Sequence, residues 1–108
     1  MDFKTYQEKA KTTAVYPATL RVIYPTLGLN GEAGEVAEKV KKIYRDKDGI
    51  ITVADLETIK KEIGDVLWYL SVLCSDLGLS LDEVADDNIA KLESRKKRGV
   101  LHGNGDNR

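Results

Sequence analysis

Glu32 and Glu35 stand three apart in Gly28-Leu29-Asn30-Gly31-Glu32-Ala33-Gly34-Glu35. Glu62 and Asp65 repeat that spacing in Lys61-Glu62-Ile63-Gly64-Asp65-Val66-Leu67. Three residues is nearly one helical turn, so the members of each pair point to one side of a helix, about 60° apart. Both pairs border long apolar runs, where an unpaired carboxylate is costly. Taken alone, either pair reads as a solvated helix face. Jointly they carry more, because Glu62 falls in the middle of an apolar stripe, which a solvated face does not explain.

Packing the two stripes together gathers four carboxylates in a small volume. Like charges that close raise one another's pKa unless a cation neutralises them. An all-oxygen donor set suits Mg²⁺ or Mn²⁺. Zinc sites favour histidine or cysteine, and a di-iron bundle uses Glu-x-x-His. The one histidine, His102, lies near the end of the chain. Magnesium held by a few carboxylates keeps positions for water and substrate phosphates. Phosphate calls for cations, and Lys91 and Arg95 stand four apart on one helical face, with Asn88 three before Lys91. The neighbouring Lys96, Lys97 and Arg98 fit a basic last turn that complements the helix dipole.

Four helices are expected to position these groups. A first helix spans residues 2–13, with a thin stripe of Phe3, Tyr6 and Ala10. Residues 14–26 contain Pro17 and Pro25 and read as a connector, with a short turn around residues 19–23. The second helix is expected from Leu27 to Arg45, with Leu29, Val36, Val40 and Ile43 on its apolar face. A charged turn ends at Gly49, and Ile50 and Ile51 form an extended segment over the core. Thr52-Val53-Ala54-Asp55 is a capping box that opens a third helix ending at Gly78. Leu56, Ile59, Val66, Leu70, Leu73 and Leu77 form its expected buried stripe. Ser80-Leu81-Asp82-Glu83 is a second box, opening a fourth helix to Arg98. Residues 99–108 read as a mobile tail.

The chain has 108 residues, which points to a single domain over 1–108. The fold class is all-α: a four- to five-helix bundle, mostly antiparallel, oligomerising through helix faces. With 17 basic and 18 acidic residues, no global field draws nucleic acid or an anionic membrane. The single cysteine, Cys74, allows no internal disulfide, fits a reducing compartment and sits in the apolar run as a core residue. The apolar run from Val66 to Leu79 is too short and too interrupted to span a bilayer. The start shows no signal peptide, so the expectation is a cytoplasmic protein.

Glu32-x-x-Glu35, 26 intervening residues and Glu62-x-x-Asp65 together resemble the signature of the MazG-type all-α nucleoside triphosphate pyrophosphohydrolases. The surrounding Gly-Glu-Ala-Gly-Glu-Val-Ala-Glu and Glu-Ile-Gly-Asp-Val-Leu-Trp-Tyr-Leu extend the likeness. So does Asn88-x-x-Lys91-Leu92-x-x-Arg95, and the likeness covers about residues 26–99. The resemblance implies hydrolysis of a nucleoside triphosphate to monophosphate and pyrophosphate, in the manner of a nucleotide-pool cleaning enzyme. It implies Mg²⁺ on Glu32, Glu35, Glu62 and Asp65, and sugar or phosphate contacts from Asn88, Lys91 and Arg95. It also implies a homodimer or homotetramer with sites near subunit interfaces. MazG itself carries two such domains in tandem, and this chain carries one. For the base that orients the attacking water the candidates are Glu35 and Glu38, although Glu38 also suits an ion pair with Lys42. Tyr69, one turn beyond Asp65, and Trp68 are candidates for stacking on the nucleotide, and both also suit core positions. The rival reading is a non-catalytic helical dimeric adaptor, or a nucleotide sensor that kept the fold.

Overall fold

A computed structural model describes residues 1–108 as four helices without strands. Helix α1 runs Phe3–Lys11 and is opened by Asp2, whose Oδ1 accepts the Thr5 N–H at 2.8 Å. A single 3₁₀ turn, Ala18–Leu20, interrupts the connector. Helix α2 runs Ile23–Lys47 and so begins earlier than the expected Leu27. Pro25 is tolerated there because first-turn N–H groups have no partner inside a helix. Val22 caps α2 at φ +67°, an unfavourable conformation for a β-branched residue. Its N–H donates to Asp76 Oδ2 at 3.0 Å, and the Tyr16 hydroxyl donates to the same oxygen at 2.7 Å.

Helix α3 runs Val53–Asp76, and both arms of its capping box form. Thr52 Oγ1 accepts the Asp55 N–H at 3.1 Å, and Asp55 Oδ2 accepts the Thr52 N–H at 2.9 Å. Gly78 at φ +72° ends the helix, and the Leu79 N–H donates back to the Cys74 carbonyl. Helix α4 runs Leu81–Lys97. Only one arm of its expected box forms, Ser80 Oγ accepting the Glu83 N–H at 3.3 Å.

The α2–α3 pair is the body of the molecule. Contacts between Lys47 and Asp55, Lys39 and Glu62, and Val22 and Asp76 descend one helix as they climb the other, so the pair is antiparallel. Helix α4 departs from the expected antiparallel arrangement, because the chain turns through 105° between α3 and α4. Gln7 of α1 braces that corner: its Nε2 donates to Ser75 Oγ and to the Leu79 carbonyl, and its Oε1 accepts the Leu81 N–H. Helix α1 therefore packs on both α3 and α4. No single helix is long and apolar enough to cross a membrane.

The interior is small. Ala10, Ile43, Val72, Cys74 and Leu81 form the apolar core, joined by Pro25, Ser71 and Arg95. Cys74 is buried, as expected. The expected stripe on α3 is only partly covered: Ile59, Val66 and Leu73 are half-buried, while Leu56, Leu70 and Leu77 face outward. Ile50 and Ile51 are exposed as well. Within the chain, nothing covers that side of α3.

Candidate active site

The antiparallel register of α2 and α3 sets residues near 32 opposite residues near 62 and 65. Glu32, Glu62 and Asp65 accordingly bring one carboxylate oxygen each within 4.8 Å of one another. Glu32 and Glu62 are half-buried and Asp65 is exposed. Loss of hydration, followed by the charges of Asp65 and Glu62, pushes the Glu32 pKa above its ordinary value. Three acids that close need positive charge, and the one ion pair formed by any of them is Lys39 Nζ to Glu62 Oε1, at a long 3.6 Å. An all-oxygen set of this kind, half-buried and under-neutralised, fits a hard divalent cation.

The fourth acid stands apart. Glu35 is exposed and lies outside the triad, although its charge still raises the Glu32 pKa. Glu38 pairs with Lys41 at 2.8 Å and with Lys42 at 3.4 Å, the latter an expected contact. The hydrogen bond from Lys41, the larger cause, and that from Lys42 lower its pKa, which makes it a poor proton acceptor.

An aromatic wall adjoins the triad. Tyr16 stacks on Tyr24 with ring centroids 4.7 Å apart, and Tyr24 lies 6.3 Å from Tyr69. Trp68 meets Tyr69 edge-on at 5.0 Å and donates its Nε1–H to Thr13 Oγ1. Burial raises the Tyr69 pKa, with smaller contributions from Tyr24, Glu32 and Asp65. Burial, followed by the Asp65 charge, raises that of Tyr6 on α1.

The expected phosphate contacts lie on another helix. Asn88, Lys91 and Arg95 belong to α4, whose main packing partner is α1. Asn88 is exposed, Lys91 half-buried and Arg95 buried. No ion pair joins the two cations to the triad; both hold Asp106 instead.

Two site residues escaped the sequence reading. Lys39 stands seven residues after Glu32, two turns along the same face, and that spacing was available as a signal. Gly28 lies where a Cβ would overlap the Tyr69 ring, so its lack of a side chain admits that ring. Nothing local in the sequence reports such a contact.

The family model of the MazG nucleotide pyrophosphohydrolase domain matches residues 25–100, from the first turn of α2 to just past α4. The chain belongs to the MazG nucleotide pyrophosphohydrolase family. Two relatives are similar to this MazG chain. The Gene 37 protein of Mycobacterium phage L5 is 47% identical over 114 aligned residues, spanning all of both chains. YpjD of Bacillus subtilis (strain 168) is 38% identical over 69 residues, covering 64% of this chain and 61% of that relative. No solved structure matches. The MazG region contains the whole acidic hairpin and α4, and leaves α1 outside.

Proposed function

We propose that this MazG-family protein hydrolyses a nucleoside triphosphate to its monophosphate and pyrophosphate, with Mg²⁺ held by the acidic hairpin. The observation that carries this reading is the convergence of Glu32, Glu62 and Asp65 from two helices onto one point. Glu35, one turn along α2 from Glu32, is the fourth expected ligand, though it stands outside the triad. When bound, the cation supplies neutralising charge to the triphosphate and activates water. The chain's own carboxylates hold that water in line with the α-phosphorus. The water oxygen bonds to the α-phosphorus, the bond to the bridging oxygen breaks, and pyrophosphate leaves. Glu35 is the better proton acceptor of the two candidates, because no lysine occupies it. Tyr69, with Trp68 behind it, offers a stacking face one turn from Asp65.

The same reading includes a homo-oligomer, dimeric or tetrameric. Two features support it: α3 keeps an apolar row uncovered, and the α4 cations lack a place beside the triad within one protomer. A second copy answers both needs if its α4 brings Asn88, Lys91 and Arg95 to the hairpin. The test is pyrophosphate release under Mg²⁺ from a panel of nucleoside triphosphates, using Glu62→Gln and Asp65→Asn. Each is expected to lose at least about 100-fold in activity, the scale of removing a key electrostatic contact. Full activity in either pure variant rules out its role in holding the metal. Melting each variant without metal separates chemistry from folding, since removing a half-buried acid need not lower stability.

A further inference from the structure

Asp106 occupies the two cations assigned to phosphate. Its Oδ1 lies 2.9 Å from Lys91 Nζ and 3.1 Å from Arg95 Nη2, and Arg95 Nη2 also donates to the Asp106 carbonyl. Arg95 is buried, with only 5% of its surface exposed, so its guanidinium needs an acceptor, and the tail provides one. Asp106 itself is 77% exposed. The segment is shaped for the contact. Gly103 and Gly105 take positive φ, and Arg108 closes the loop by donating to the carbonyls of Val100, Leu101 and Gly105. Leu101 is exposed, so polar contacts rather than apolar burial hold the loop down. Such a segment opens at low cost.

We infer that the segment from Gly99 to Arg108 is an autoinhibitory latch, in which the Asp106 carboxylate stands where a substrate phosphate would and must leave before phosphate binds. The inference rests on Lys91 and Arg95 being phosphate contacts. A carboxylate and a phosphate both accept from guanidinium and ammonium, and phosphate offers more charge and more acceptor oxygens. The latch lowers apparent affinity by the fraction of molecules in which it is open. It sets a threshold: triphosphate displaces it, whereas weaker anions do so less.

Inorganic pyrophosphate is the probe, titrated calorimetrically into the full chain in the absence of nucleotide. Asp106→Asn removes the competing charge and keeps an oxygen. Arg108→Gln loosens the loop without touching Lys91 or Arg95. Both variants are expected to bind pyrophosphate about two- to fivefold more tightly, the scale of one competing ion pair. Lys91→Gln is expected to weaken it. In the unaltered chain the Gly103 and Gly105 amide signals are expected to move as pyrophosphate is added. If Lys91→Gln weakens binding while neither tail variant tightens it, the latch is overturned and the phosphate contact stands. If Lys91→Gln leaves binding unchanged, the phosphate assignment and the latch fall together.

Discussion

Asp55 shows how one carboxylate serves two neighbours. It accepts from Lys47 Nζ at the end of α2 and from the Thr52 N–H at the start of α3, tying the two ends of the turn between them. The Lys47 contact, followed by those with Thr52, lowers its pKa from the ordinary 3.8 to about 2. A depressed carboxylate contributes stability that is present above the unfolded pKa and lost as pH falls through the folded one. The relevant window is therefore pH 4 down to about 2. Asp55→Asn is expected to melt below the parent at pH 7, with the gap closing across that window. Melting curves at pH 7, 4, 3 and 2 check it, and a gap that persists unchanged at pH 2 removes Asp55 ionisation as its cause. The acids of the candidate site were legible for a related reason. Spacing places side chains on a helix face, and an antiparallel pair brings two such faces into register. Lys39 obeyed the same rule, whereas the close approach of the Tyr69 ring to Gly28 depends on how far apart two helices lie, which no spacing encodes.

At the scale of elements, the sequence was most informative where local chemistry acts alone. The Thr52–Asp55 box and the glycine stop at Gly78 both stand where the residues put them. It was least informative where a distant contact decides. Helix α2 starts at Ile23 because Asp76, far along the chain, holds the Val22 N–H, and α4 swings away because Gln7 braces the corner. Helix α2 also contains glycines with opposite roles. A Cβ at Gly31 would meet open space, while one at Gly28 would overlap the Tyr69 ring, which Tyr24 and Trp68 hem in. Gly31→Ala is expected to raise the stability of α2 by about 0.5–1 kcal/mol, since glycine in a helix interior costs that much relative to alanine. Gly28→Ala is expected to lower it by about 1–3 kcal/mol through overpacking, less the same propensity gain. Urea unfolding of the two variants side by side decides this, and equal effects would mean that Tyr69 moves aside freely.

The whole molecule is extended for its length. Its radius of gyration is 16.8 Å, against about 13 Å for a compact chain of this size. The chain turns through 105° between α3 and α4, and along α3 Leu56, Ile63, Leu70 and Leu77 recur every seven residues and are 38–56% exposed. Ile59, Val66 and Leu73 run beside them at i+3 and are half-buried. A seven-residue repeat with a second row at i+3 is the seam of a helix that packs against another helix. The sequence showed the apolar stripe but not which part of it the chain itself covers, because that depends on where α1 and α4 come to rest. In the proposed homo-oligomer, this row is the face that a second copy covers. The native chain is expected to run in solution as a multiple of its 12.0 kDa mass. Leu70→Glu, in the middle of the row, places a charge at the seam and is expected to reduce the particle to 12.0 kDa, measured by light scattering on a sizing column. If a second copy's α4 supplies the phosphate contacts, activity falls with the mass, and falls less at protein concentrations high enough to restore the oligomer. A native chain that stays at 12.0 kDa at high micromolar concentration overturns the homo-oligomer.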